Sequence, residues 1–137
     1  MTSAEFKDLS HVYHEGQENE HRALAHITFN IEAGVTIMDP ATTYIDADVK
    51  IGRDTVIYPQ TFLEGNTVIG EECEIGPSVR FQNVKAGNGV TGQFIYAHDC
   101  EFADGVILGQ FTHIRPNTYL AEKVKIGNFV EVKNSNI

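Results

Sequence analysis

The sequence predicts an all-β fold: a parallel β-helix in which the chain climbs as a solenoid of hexapeptides. Large aliphatic residues recur at every sixth position, as Ile45, Ile51, Ile57, Leu63, Ile69 and Ile75, and again as Leu108, Ile114, Leu120, Ile126 and Val132. The fifth place of the hexads is small or β-branched (Val49, Thr55, Thr61, Thr67, Cys73, Val79), which suits short strands stacked in parallel. The second place is often glycine, as at Gly52, Gly70, Gly76, Gly109 and Gly127, where a corner must turn without interference from a Cβ. A period of six matches neither the α-helical turn of about 3.6 residues nor the alternation of a strand. It matches coils of three hexads, each coil covering its neighbour.

The elements follow in chain order. Met1–Gly16 is polar and without a period, and reads as a tail. Gln17–Glu32 carries Ala23, Leu24, Ile27 and Ile31, a helical stripe, although Ile27, Phe29 and Ile31 also alternate as in a strand. Residues 1–33 are therefore expected to form an N-terminal tail and a capping helix over the first coil. Gly34 ends the helix, and Val35–Pro40 starts the column, so that residues 34–137 form the β-helix domain, open at its C-terminal end. Regular hexads run from Ile45 to Arg80. Between Phe81 and Ile95 the phase slips: Phe81–Lys85 is one residue short and Gly92–Ile95 two short. Tyr96 and Phe102 then restart the inward series, and aromatic or small residues stand where aliphatics stood, a coil with altered corners.

The chain has 137 residues and a net charge of −9, from 19 acidic and 10 basic side chains. That balance argues against a general nucleic-acid or anionic-membrane surface, while leaving room for a small anion held by one or two local cations. No apolar run is long enough for a membrane span and Met1–His21 has no signal-peptide pattern, so a cytoplasmic chain is expected. Cys73 and Cys100 both fall in the fifth place of a hexad and read as small buried thiols rather than a redox or metal pair.

Among the second-place residues that depart from glycine, two are cations. Arg115 and Lys133 lie 18 residues apart, one full coil, so the fold stacks them on one corner. Like charges in adjacent coils repel unless an anion sits between them, and an Arg fork with a Lys point charge suits a phosphate. Two solvated corner cations are the other reading. Glu131, two residues before Lys133, either accepts a hydrogen bond from a substrate amine or hydroxyl or screens the two cations. Asn128 is expected to bond backbone at its turn. His11, His14, His21 and His26 lack the spacing of a zinc helix, and His98 and His113, 15 apart, fall in hexads that do not stack on one corner. No metal site and no catalytic residue are expected, nor is there a phosphate-cradling Gly-rich loop or a nucleophile triad.

Several phrases are more specific than the period. Gly34–Ile45 with Ile51-Gly-Arg-Asp-Thr-Val-Ile-Tyr-Pro59, then Leu108-Gly-Gln-Phe-Thr-His-Ile-Arg-Pro116, then Ile126-Gly-Asn-Phe-Val-Glu-Val-Lys133 resemble the C-terminal domain of the bifunctional bacterial N-acetylglucosamine-1-phosphate uridyltransferases/glucosamine-1-phosphate acetyltransferases. The resemblance covers Gly34 to Ile137. It implies a left-handed β-helix, trimeric, with acetyltransferase sites between subunits. It implies an acceptor site in which Arg115 and Lys133 hold the sugar phosphate and Glu131 lies near the sugar. The family's acetyl-CoA-binding coils, its catalytic His, and its nucleotidyltransferase domain with Mg2+ have no counterpart here. No cofactor is therefore expected in this chain, which on this reading is a partial acetyltransferase domain, inactive alone. A non-catalytic β-helix scaffold or oligomerisation module is the alternative.

Overall fold

A computed structural model describes residues 30–137. The tail and most of the expected capping helix lie outside the described residues. The end of that expected helix is corrected: Ile31 forms a parallel bridge with Ile51, and the Glu32 amide donates to the Ile51 carbonyl at 3.0 Å. The column thus begins at Ile31, before Val35. Asn30, the residue before it, is helical, so the helix expected to reach Glu32 gives way to the column one residue after Asn30.

The rest is short parallel strands. One face runs Thr36–Ile37, Val56–Ile57, Glu74–Ile75, Thr91–Gly92, Ile107–Leu108 and Lys125–Ile126. A second runs Tyr44–Ile45, Phe62–Glu64, the first half of Val79–Ala86, the first half of Ile95–Phe102, Thr112–Ile114 and Glu131–Val132. A third takes Lys50–Ile51, Val68–Ile69, the second halves of the two long strands, and Thr118–Leu120. Three faces around one axis bury the first-place aliphatics: Ile57, Leu63, Ile75, Ile114 and Leu120 are all 0% exposed. Ile126 and Val130 pack against this core while remaining half-buried.

Among the buried fifth-place threonines, Thr55 and Thr67 bridge coils through their hydroxyls, whereas Thr118 Oγ1 has no hydrogen-bond partner among the described residues. Thr55 Oγ1 donates to the Gly70 carbonyl at 2.8 Å and accepts from the Cys73 amide at 3.1 Å, so a polar atom in the core is satisfied on both sides.

The slipped middle decides the site. Leu63 pairs with Phe81, Phe81 with Ala97, and Ala97 with Ile114; on the next face Ile69 pairs with Ala86, Ala86 with Phe102, and Phe102 with Leu120. Each buried phenyl therefore lies over an alanine, and the two rings meet edge-on at 5.9 Å. Large beside small keeps the column at packing density while the coil loses residues at its corners. The register corrects the expected phase. Ala97, 0% exposed, occupies the inward place, and Tyr96 points outward.

Candidate functional site

On the second face, outward side chains stack in register. Arg80 pairs with Tyr96, Tyr96 with His113, and His113 with Glu131. Two residues further along each strand, Glu64 pairs with Gln82 and Gln82 with His98. One residue past the pairs Ala97–Ile114 and Ile114–Val132, His98 comes level with Arg115, and Arg115 with Lys133. The Arg115 amide donates to the Val132 carbonyl at 2.8 Å, which locks the two coils together at this corner. The stacking of Arg115 on Lys133 expected from the spacing is thus what the register produces.

The side chains form one connected ledge. Arg115 Nη1 lies 3.3 Å from Glu131 Oε2, and His113 Nδ1 is 3.8 Å from the same oxygen. Both groups of the Arg115–Glu131 pair are well exposed, so it contributes about 0–1 kcal/mol to stability; its consequence is to aim the guanidinium. Among the described residues the Lys133 ammonium has no ion-pair partner. Tyr96 stacks on His98 and on His113, each at 5.0 Å, and donates its phenol to Gln82 Oε1 at 2.8 Å. Arg80 lies 5.7 Å over the Tyr96 ring and pairs with Glu64 at 2.6 Å. Burial, and then the neighbouring His98, push the His113 pKa below its ordinary value.

Arg115 and Glu131 therefore meet, and the register sets Lys133 level with Arg115 in the next coil. The separation expected of His98 and His113 is overturned: their Nε2 atoms are 3.3 Å apart. The misplaced phase set His98 on the wrong position. Counting Ala97 rather than Tyr96 as inward puts His98 in the same second place as Arg115 and Lys133. The alternation of Ile95 and Ala97 in one strand was the available signal. Asn128 does what its turn implied, its Oδ1 accepting from the Gln110 amide at 2.8 Å in the coil beneath.

A second feature borders the ledge. Phe94, Phe111 and Phe129 stack at 5.5 and 5.3 Å along the corner that precedes it, and are 37%, 56% and 78% exposed. All three have left-handed backbone, at φ 55°, 58° and 58°, which bulky side chains avoid.

Comparison with known proteins agrees with this architecture. Residues 48–83 match the family model described as bacterial transferase hexapeptide (six repeats). Over 102 residues, 74% of the chain, it is 57% identical to bifunctional protein GlmU of Geobacillus sp. (strain WCH70), of which it spans 22%. It is 50% identical over 107 residues to bifunctional protein GlmU of Thermotoga maritima, covering 78% of this chain and 24% of that one. A Bacillus cereus structure described as an acetyltransferase superposes with a TM-score of 0.68 at 19% identity, over 79% of this chain and 67% of that one, a likeness of fold.

The β column is thus a hexapeptide-repeat β-helix, the fold it shares with that structure. In sequence the chain is similar to one stretch of bifunctional protein GlmU, and it spans less than a quarter of the length of these relatives.

Proposed function

We propose that the ledge is the phosphate-holding half of an acetyltransferase acceptor site, and that its ligand is an amino-sugar 1-phosphate of the glucosamine-1-phosphate type. The observation that carries this reading is the stack of Arg115 on Lys133, two cations in adjacent coils with one carboxylate, Glu131, turned toward the arginine. Arg115 offers a planar fork to two phosphate oxygens, and Lys133 supplies a compact charge from the next coil. Glu131 holds the fork in place and presents an acceptor to a sugar amine or hydroxyl. The similarity to GlmU supports the substrate class, since the phrases around Arg115 and Lys133 fall in the matched stretch.

Self-association is part of the proposal. The exposed phenylalanine column beside the ledge is apolar and strained, and suits a contact between copies of the chain, most simply a homotrimer with the ledge at the subunit boundary. The same column supports the alternative reading, a non-catalytic module that uses the coil stack to assemble. Among the described residues no helix is long and apolar enough to cross a membrane.

Calorimetric titration at low salt separates the readings. Glucosamine-1-phosphate is expected to bind, glucosamine to bind far more weakly, and both Arg115→Ala and Lys133→Ala to weaken the sugar phosphate, with affinity fading as salt is added. Equal binding of the two sugars, or an unchanged affinity in both variants, removes the phosphate assignment and leaves the assembly module.

A further inference from the structure

The histidine pair on the ledge is not used by the sugar-phosphate reading. His98 Nε2 and His113 Nε2 face one another at 3.3 Å. Behind each ring, the other nitrogen faces a carboxylate: His98 Nδ1 lies 3.4 Å from Asp99 Oδ2, and His113 Nδ1 lies 3.8 Å from Glu131 Oε2. The Asp99 contact favours the proton on His98 Nδ1 and leaves a lone pair on its Nε2, and His113 in the same tautomer, beside but not hydrogen-bonded to Glu131, turns its Nε2 lone pair to the same point. Two lone pairs then converge on one point, which calls for a cation between them. Two imidazole nitrogens bound at about 2.0–2.1 Å to one tetrahedral ion stand about 3.3–3.4 Å apart. The observed spacing fits that span.

We propose that His98 and His113 form a two-histidine site for a divalent transition-metal ion of the zinc type, oriented by Asp99 and Glu131. The rings are held in place: Tyr96 stacks on both, and the register fixes His113 over Tyr96. Both side chains are partly exposed, at 22% and 38%, so an ion can enter from solvent and keep two positions for water or an anionic ligand. Since His98 is level with Arg115, an anion on that ion would also meet the guanidinium. The metal site stands on the imidazole geometry alone and holds whether or not the ledge takes a sugar phosphate.

The test is zinc titration of the full chain by calorimetry, with His11, His14, His21 and His26 replaced by Ala to remove other ligands. One equivalent is expected to bind, with the long-range nitrogen spectra of His98 and His113 shifting at Nε2. His98→Ala and His113→Ala are each expected to abolish it. Asp99→Asn keeps a residue that tolerates the left-handed backbone at φ 52°, and is expected to weaken zinc about tenfold. Loss of zinc binding with the four N-terminal substitutions overturns the proposal, as does binding undiminished by either alanine variant. Should an alanine variant fail to fold, the imidazole spectra of the parent decide, and Nε2 resonances that zinc does not move refute the site.

Discussion

Replacing Phe81 by alanine tests whether the slipped coil is a packing solution. Phe81 is 0% exposed, meets Phe102 edge-on at 5.9 Å, and lies in register between Leu63 and Ala97. Removal of a buried phenyl costs about 3–5 kcal/mol, and the upper half of that range is expected because Ala97 is too short to close the void. Ala97→Phe alone adds a ring where Phe81 already fills the space, for a cost of about 1–3 kcal/mol. If the column needs one large and one small residue at this level, the double variant Phe81→Ala/Ala97→Phe restores the volume. Its cost should be about 1–2 kcal/mol, well below the sum of the singles, a coupling of about 2 kcal/mol or more. Urea unfolding at one fixed protein concentration measures all four chains. A single Phe81→Ala cost under about 1 kcal/mol, or additive single and double effects, refutes the reasoning.

Other outcomes follow from the same geometry. Gly52→Ala would put a Cβ 2.6 Å from the Gly70 carbonyl carbon, backbone that cannot yield, and is expected to cost about 2–3 kcal/mol or more in urea unfolding. Gly127→Ala meets nothing within 4 Å and should fall within about 1 kcal/mol of neutral, toward stabilisation. Burial raises the Cys73 pKa, and burial together with Asp99 pushes that of Cys100 up to about 12. Both thiols should resist a disulfide reagent at neutral pH in the native chain and react on unfolding; rapid native labelling would contradict their burial. Phe111→Glu places a charge in the middle of the stacked column and is expected to shift the chain to smaller species in light scattering, whereas Ile107→Glu on another face should not.

Much of the fold was legible because the hexad repeats one physical demand. Every sixth side chain must fill the axis, so Ile45 through Ile75 announce the column without reference to any other residue. Arg115 and Lys133 were legible for the same reason: they lie in a regular stretch, where counting by coils is counting in space. Tyr96 and His98 were not, and with them the pairing of His98 to His113, because they follow the two short corners. A solenoid tolerates a missing corner residue only if the core on either side compensates, and that compensation is not local in sequence. Phe81 sets what Ala97 must be, and Ala86 what Phe102 can be, across a whole coil.

That coupling also explains why the most informative part of the ledge sits where the repeat fails. In a regular coil, the second place after an inward aliphatic is often glycine, whose backbone must approach the next coil closely, as Gly52 approaches Gly70. Glycine there leaves no side chain to work with. In the short coil, Ala97 takes the inward place and His98 the place after it, and in the next coils Ile114 and Val132 are followed by Arg115 and Lys133. Exchanging glycine for functional side chains at one corner demands a surface on which coils stack without a glycine–glycine approach. The second face meets that demand, since its second-place column of Glu64, Gln82, His98, Arg115 and Lys133 holds no glycine at all. While the other two corners carry most of the glycines, the second face thus gathers the charged and imidazole side chains of the ledge on one corner. A ligand that bridges coils there, whether an anion on the cations or a metal on the imidazoles, stabilises the stack along its own axis, so binding and column stability are expected to rise together.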